Sequence, residues 1–375
     1  MLQIEQLDVR NKAQVNEFIR LPFRLYKDSK QWVPPFISDV KTMLDPNKHP
    51  YYDHSEADFF VAKRDGKLVA RIAAMENKPF NKYHGTTKAQ FYLFDAENDP
   101  EAVQALFDRA FEWCHARGLT EVVGPKGFSG FDGYGIQAEG YEHHCMMTMM
   151  NYNYPYYIDL MNGMGFEKEV DFVSCYIHRD NFVLPEKINK VIDIIRKRGK
   201  FQVKNFASRK ELLSWAPKIG AAYNNAFINN WEYYPQTERE IKYAVDSVLS
   251  VAVPQLIKII TYEDAVVGFL FGFPDITPAM QRGKGRLTPW SIADMAISLK
   301  RTNWVSLNGV GVLPEYHGRG GNVLLYDEIR RTITDFGFEH AELTQMAETA
   351  VQVRKDIITV GAIPYKQHRI FHKKI

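Results

Sequence analysis

The 375-residue chain is short of cysteine, of net charge and of long apolar runs. Its three thiols are Cys114, Cys145 and Cys175. An odd number without metal-ligand spacing excludes a disulfide framework and a zinc finger, and predicts buried free thiols in a reducing compartment. Lys and Arg number 47 against 45 Asp and Glu, for a formal net charge of +2. A chain with no field of one sign is a poor candidate for a dedicated nucleic-acid binder. No apolar stretch approaches the length of a membrane span. Met1-Leu2-Gln3-Ile4-Glu5 lacks the basic and apolar regions of a secretory signal, so a cytoplasmic location is expected. What remains is 45% apolar and 25% charged. That is an ordinary globular composition at a length that suits one large domain or two.

The stretch that organises the second half of the chain lies between Asn303 and Gly337. Trp304 to Leu313 reads as a buried strand of β-branched and apolar residues, with small residues where a ligand or another backbone could approach. His317 to Gly321 is a glycine-rich turn. Asn322 is expected to cap a helix that buries Leu325, Ile329, Thr332 and Phe336, with Gly337 just past its end. A strand that feeds a glycine-rich turn at a helix start suits a phosphate, because backbone N–H groups converge there and the helix dipole favours an anion. Gly318, Gly320 and Gly321 also suit a tight strand-to-helix connection, and the glycines alone do not separate the two readings.

The element order repeats. Gln3 to Leu7 starts a short strand, Asn11 to Tyr26 reads as a helix, and Trp32 follows. Gln202 to Phe206, the helix Ser208 to Phe227, and Trp231 repeat that run at the same offset. Phe59 to Met75 has a hairpin pattern turning at Asp65-Gly66, and Leu256 to Phe273 has another turning at Glu263-Asp264. Each half then offers a strand, a helix, a strand, a helix and a closing strand, at Asp171 to His178 and at Gln367 to Lys373. The helix after Asp99-Pro100-Glu101, with Val103, Leu106, Ala110 and Cys114 on its buried face, corresponds to the one after Gly321. Two domains are expected, at residues 1–180 and 199–375. Ile188, Val191, Ile192 and Ile195 give the intervening 181–198 the spacing of a linker helix.

Pro314-Glu315-Tyr316-His317-Gly318-Arg319-Gly320-Gly321-Asn322, followed by Leu324-Leu325, resembles the acyl-CoA loop of the GNAT superfamily, the Gcn5-related N-acetyltransferases. Gly320 matches the first glycine of that loop, His317 stands where Gln or Arg is usual, and Asn322 replaces the final Gly or Ala. The order β-α-α-β-β-β-α-β-α-β in each half is also the GNAT order, so the resemblance runs over nearly the whole chain. It implies an α/β (α+β) protein of two tandem GNAT-like domains, each a mixed twisted sheet flanked by helices.

The resemblance implies transfer of an acyl group from acyl-CoA to a small-molecule or lipid-like amine, with no metal. Backbone N–H groups of His317, Gly318, Arg319, Gly320, Gly321 and Asn322 would hold the pyrophosphate. The pantetheine arm would lie along Val310, Gly311 and Val312, and an N–H near Val310 would face the thioester oxygen. Glu348 is the candidate proton acceptor, Asn308 would orient the amine or a water, and Tyr326 or Tyr365 could protonate the thiolate. The positions of the family's usual Tyr and Asn on the late helix are Ile357 and Ala350 here. That departure keeps open a non-catalytic protein that binds CoA or a small ligand. An aminoacyl-tRNA-dependent transferase would need a basic stripe that the near-neutral balance does not suggest.

The halves differ in three places. The first has no glycine in the equivalent stretch, Phe91 to Pro100, and carries Asp95, Glu97 and Asp99 there, which would repel a pyrophosphate. It also has an insertion, Gly124 to Gly135 and then Tyr141 to Tyr157, dense in aromatics and methionine. His143-His144-Cys145 beside Met146, Met147, Met149 and Met150 lacks a second ligand pair at metal spacing, so apolar packing is the preferred reading. The second half has its own insertion, Pro274 to Asn303. It holds a basic turn, Arg282 to Arg286, and an apolar helix with Trp290, Ala293, Met295, Ala296, Ile297 and Leu299. That helix is expected either in the core or as a wall over the acceptor site.

Overall fold

The fold is that of a computed structural model. It describes residues 1–375 apart from Gly130, Phe131, Met147, Thr148, Met149, Asn229 and Gly318, and at Leu249 and Ser250 the backbone alone. The first half runs β1 (Leu2–Gln6), α1 (Lys12–Leu25), α2 (Ile37–Met43), β2 (Glu56–Arg64), β3 (Lys67–Glu76) and α3 (Lys78–His84). It continues as β4 (Lys88–Ala96), α4 (Pro100–His115), β5 (Glu121–Gly124), β6 (Ile136–Glu139), α5 (Tyr156–Gly163) and β7 (Glu167–His178). Helix α6 (Glu186–Arg198) follows. The second half runs β8 (Phe201–Asn205), α7 (Arg209–Ala226), α8 (Glu238–Val251), β9 (Ile257–Tyr262), β10 (Ala265–Pro274), α9 (Thr277–Gly283) and α10 (Pro289–Arg301). It ends β11 (Trp304–Val312), α11 (Gly321–Asp335), β12 (His340–Ala347), α12 (Val351–Thr359) and β13 (Ile363–Lys374).

Local chemistry explains most boundaries. Asn11 caps α1 by accepting from the Ala13 and Gln14 N–H groups, and Ser208 caps α7 through Glu211 N–H, each worth about 1 kcal/mol. The hairpins turn at Asp65-Gly66 and Glu263-Asp264, all four residues at positive φ. That is the backbone a two-residue turn needs to match strand twist.

Contacts group the residues into two units, and the grouping is not one cut of the chain. The first unit is Met1–Phe172, Ile276–Ser298 and Lys366–Ile375; the second is Val173–Asp275 and Leu299–Tyr365. The expected halves, 1–180 and 199–375, describe the repeated element order instead. The two groupings differ because the closing strands are exchanged. From Lys366 onward β13 carries partners of the first unit: Phe371 faces Gly124 and Lys374 faces Glu121 on β5, antiparallel. Asp171 accepts a forked pair from Arg369, at 2.8 and 3.0 Å. In the second unit the Ser174 hydroxyl of β7 meets that of Thr344 on β12 at 2.9 Å.

Within the first unit, strands β1-β2-β3-β4-β5 are neighbours in that order, with β13 beside β5. Helix α4 buries Val103, Leu106, Phe107, Ala110 and Cys114 against one face. Phe18, Ile19, Tyr51, Phe59, Tyr92 and Phe128 fill the other, so the glycine–aromatic insertion supplies a core residue. In the second unit the order is β12-β11-β10-β9-β8. Helices α6 and α11 cover one face with Ile192, Ile195, Leu324, Leu325, Ile329 and Ile333. Helix α7 covers the other, over Phe269 and Phe271.

Several local expectations are corrected. Asn322 does not cap α11; the helix starts at Gly321, two residues earlier than that cap implies, with Gly320 as N-cap at φ +102° and no side-chain cap. Phe336 is exposed, because α11 ends at Asp335 before the next turn can bring that ring inward. Cys114 and Cys175 are buried but Cys145 only partly so. Burial raises the Cys114 thiol to about 12 and the Cys175 thiol to about 11. Core burial of the apolar inserted helix is also overturned. Trp290 on α10 is 86% exposed, and Ile292 and Ile297 are exposed with it.

Candidate active site

The strand, turn and helix expected around Gly320 are in place, in the second unit. Beyond Val312 a single 3-10 turn, Pro314–Tyr316, carries the chain round. His317 closes it, its Nε2 meeting the carbonyl oxygen of Val312 at 2.8 Å. Arg319 is exposed, with its guanidinium over the Tyr316 ring. Gly318 lies outside the described residues. Because Gly320 has no side chain to fold back, no side chain caps the first turn of α11, whose leading N–H groups have no acceptor within the helix. An L-residue at Gly320 would suffer from the φ of +102° and would place Cβ 2.3 Å from Ile195 Cδ1 of α6. The Asn322 amide oxygen is buried here and makes no hydrogen bond.

The edge of β11 opens toward this turn. β11 and β12 are parallel, in register from Trp304–His340 to Leu307–Leu343. Past that point β11 continues to Val312 and β12 to Ala347 without further pairing among the described residues. Both strands bend there. Gly309 has φ +75° and Gln345 φ +60°. The register with β10 slips so that Leu270 faces Val310 while Phe271 faces Asn308. A bulge of this kind turns a strand and frees part of its edge. The freed backbone groups of residues 308–312 suit an extended partner that pairs as a strand would.

The expected site residues divide between the faces of β11. Val310 and Val312 pack on the α11 side. Gly311 and Asn308 lie on the α7 side, opposite Phe269 and Phe271. The glycines are not open space on that side. A Cβ at Gly311 would stand 3.0 Å from Phe269 Cζ, and one at Gly309 would stand 2.8 Å from Phe271 Cδ2. Tyr326 sits on α11, across the sheet from Asn308, and its hydroxyl donates to Asp356 at 2.8 Å. Burial and the adjacent Asp356 carboxylate hold that phenol well above its ordinary range. Glu348 follows β12 in a half-buried turn. Ile357 is buried among apolar side chains, and Ala350 precedes α12 without a capping side chain.

A buried polar strip on the α7 side of the sheet escaped the sequence reading. Ser306 and Asn308 on β11, Glu342 and Thr344 on β12 and Ser174 on β7 are all buried. Ser306 and Glu342 are in register, and Glu342 is 0% exposed. The strip brackets the point where β11 and β12 part. Its one sequence signal is a carboxylate inside the apolar run Ala341-Glu342-Leu343. Burying a carboxylate is costly, so its presence inside a strand is informative.

The equivalent place in the first unit is filled. β4 and β5 are parallel and, among the described residues, paired from Lys88–Glu121 to Gln90–Val123. β4 bulges too, at Leu93 with φ +48°. There the Tyr157 hydroxyl accepts from Ala96 N–H at 2.8 Å and returns a bond to Ala96 O at 3.1 Å. Tyr26 donates to the same hydroxyl at 2.8 Å. The start of α4 is occupied by its own Asp99, which accepts from Ala102 N–H. Repulsion by bare carboxylates is not what marks this site. Asp95 pairs with Arg71, Glu97 with Lys67 and Arg24, and Asp99 with Arg64. Occupancy, rather than net charge, distinguishes it from the start of α11.

The His143-His144-Cys145 segment shows packing contacts. The His144 carbonyl accepts from Lys366, and Met146 is buried; Met147 and Met149 lie outside the described residues. Glu121, Glu169 and His372 approach one another elsewhere in the first unit. The Lys88 ammonium lies 3.7 Å from both carboxylates, where it would compete with a cation.

No family model matches the chain. It is 28% identical over 376 residues to Protein YghO of Escherichia coli, covering 97% of this chain and 94% of that protein. It is 24% identical over 384 residues to the bacterial ceramide synthase of Caulobacter vibrioides, covering 98% and 97%. Among solved structures it is similar to a tandem GNAT protein from the clavulanic acid biosynthesis pathway, with a TM-score of 0.56 and 11% identity over 100% of this chain and 98% of that one. A GCN5-related N-acetyltransferase from Sphaerobacter thermophilus gives a TM-score of 0.51 at 15% identity, covering 100% and 95%. The element order, the two bulged and parting strand pairs, and these full-length likenesses agree: the chain is a tandem GNAT-fold protein.

Proposed function

We propose that the protein is an acyl-CoA-dependent N-acyltransferase whose CoA site lies in the second unit alone. One observation carries this reading. The start of α11 is uncapped, whereas Asp99 closes the start of α4. The fit to a CoA diphosphate rests on the N–H groups after Gly320, which no side chain caps, and on the exposed Arg319 guanidinium. CoA would supply the thioester, and the chain would hold and orient it. Residues 308–312 of β11 would pair with the pantetheine arm, and the N–H near Val310 would stabilise charge on the thioester oxygen. The bacterial ceramide synthase among the relatives supports acyl transfer, and with it an amine of lipid-like character.

The acceptor amine must lose a proton. Glu342 and Asn308 flank the parting of the strands on one face and are the residues we assign to it. Glu348 is the rival base, just past the end of β12 and up to about 20 Å from Glu342 at strand rise. Thermal shift with CoA, acetyl-CoA and palmitoyl-CoA tests the reading, since a ligand that binds only the folded state raises its melting temperature. A rise with at least one thioester is expected, and no rise with any of the three would overturn it. A non-catalytic ligand-binding role is favoured by one feature, the buried Ile357 where the family's tyrosine is usual. Ligand-induced stabilisation without turnover on any amine would select that reading.

A further inference from the structure

Helix α10 is built inside out. Ser291, Asp294 and Ser298, at i, i+3 and i+7, face the protein, beside half-buried Met295 and Leu299. The Ser291 hydroxyl donates to Arg286 O at 2.7 Å, and Asp294 receives both ends of the Arg282 guanidinium at 2.8 Å. The opposite face carries Trp290, Ala293 and Ile297 at the same spacing, with Ile292 and Ala296 beside them, and all are exposed. Trp290 is 86% exposed, and Leu287 in the approach to the helix is 50% exposed. A helix in water normally turns its apolar stripe to the core. A contiguous exposed apolar face instead marks a surface that meets something apolar.

Charge identifies the occupant. Lys284 and Arg286 precede the apolar face, and Lys300 and Arg301 follow it; all four are exposed. Asp294 is the sole acid between residues 282 and 301, and Arg282 already holds it. Cations at both ends of an apolar stripe headed by a tryptophan match a bilayer interface, with anionic headgroups above buried acyl chains. The helix is 13 residues long, and no helix among the described residues is long and apolar enough to cross a membrane. It would lie in the interface plane.

We propose that α10 docks the protein onto anionic lipid membranes, with Trp290 and Ile297 inserted and Lys284, Arg286, Lys300 and Arg301 at headgroup level. The inference does not depend on acyl transfer. The test is flotation of the full chain with phosphatidylcholine vesicles, with and without phosphatidylglycerol, for the wild type and a Trp290→Ser/Ile297→Ser variant. Both replaced side chains are exposed, so the variant should melt as the wild type does. The wild type should float with the anionic vesicles and less well at high salt. The variant should lose about tenfold or more of that partition. Failure of the wild type to float, or equal flotation by the variant, would overturn the proposal. So would a wild-type dimer that the substitutions dissolve without any vesicle binding, which would give the face to a second copy.

Discussion

The Tyr326 hydroxyl donates to an Asp356 carboxylate oxygen at 2.8 Å, joining α11 to α12. That proton is committed to a carboxylate, and the hydroxyl lies across the sheet from Asn308. A phenol held so high is a weak acid for a departing thiolate. Tyr326→Phe should therefore lower the melting temperature, through loss of a charge-assisted bond worth about 1.5–3 kcal/mol. It should reduce kcat by less than about tenfold. A loss above about a hundredfold at unchanged stability would make Tyr326 the proton donor after all.

Glu342→Gln and Glu348→Gln separate the two candidate bases. With Glu342 at the parting of β11 and β12, its amide variant should lose about a hundredfold or more in kcat. Glu348→Gln should stay within about tenfold of the wild type. The reverse pattern would return the role to the residue at the strand end. Circular dichroism of the Glu342 variant shows whether the fold tolerates the change.

Two substitutions at the start of α11 separate binding from stability. Asn322→Asp adds a carboxylate to the first helical turn, where the dipole favours it by about 0.3–1 kcal/mol. Desolvation at the buried oxygen opposes that gain, so the melting temperature should change little while the shift produced by CoA disappears. Gly320→Asp should lower the melting temperature by itself, because the φ of +102° and the nearby Ile195 both oppose a Cβ. An undiminished CoA shift in Asn322→Asp would place the diphosphate elsewhere.

Acid should weaken the first unit through His368. Burial, with help from Lys366, depresses its pKa from 6.5 to about 3. The folded state thus keeps the ring neutral while the unfolded chain takes up a proton. Its contribution is full above about pH 6.5 and is lost as pH falls toward 3, by at most about 1.4 kcal/mol per pH unit. Urea titrations across that range should show His368→Gln with a shallower acid loss than the wild type.

Much of this was legible in the chain. The helix starts at Asn11 and Ser208, the turns at Asp65-Gly66 and Glu263-Asp264, and the amphipathic run of α4 are local signals within a few turns or one hairpin. The strand–glycine–helix unit was legible for the same reason. Glu342 was not, because a single carboxylate in an apolar strand gives no sign of the polar residues on neighbouring strands. The plug in the first unit was hidden too: Tyr26 and Tyr157 are far apart in sequence and meet only over Ala96.

The order of elements, their doubling and the glycine-lined start of α11 follow from the sequence alone, since periodicity, capping and turn chemistry act between near neighbours. Tertiary structure alone decided which closing strand completes which sheet, and that Gly309 and Gly311 are filled by Phe271 and Phe269. It also decided that α10 turns its apolar stripe outward. The periodicity of a helix fixes that it has two faces; only the groups packed around it, here Arg282 bound to Asp294, determine which one water sees.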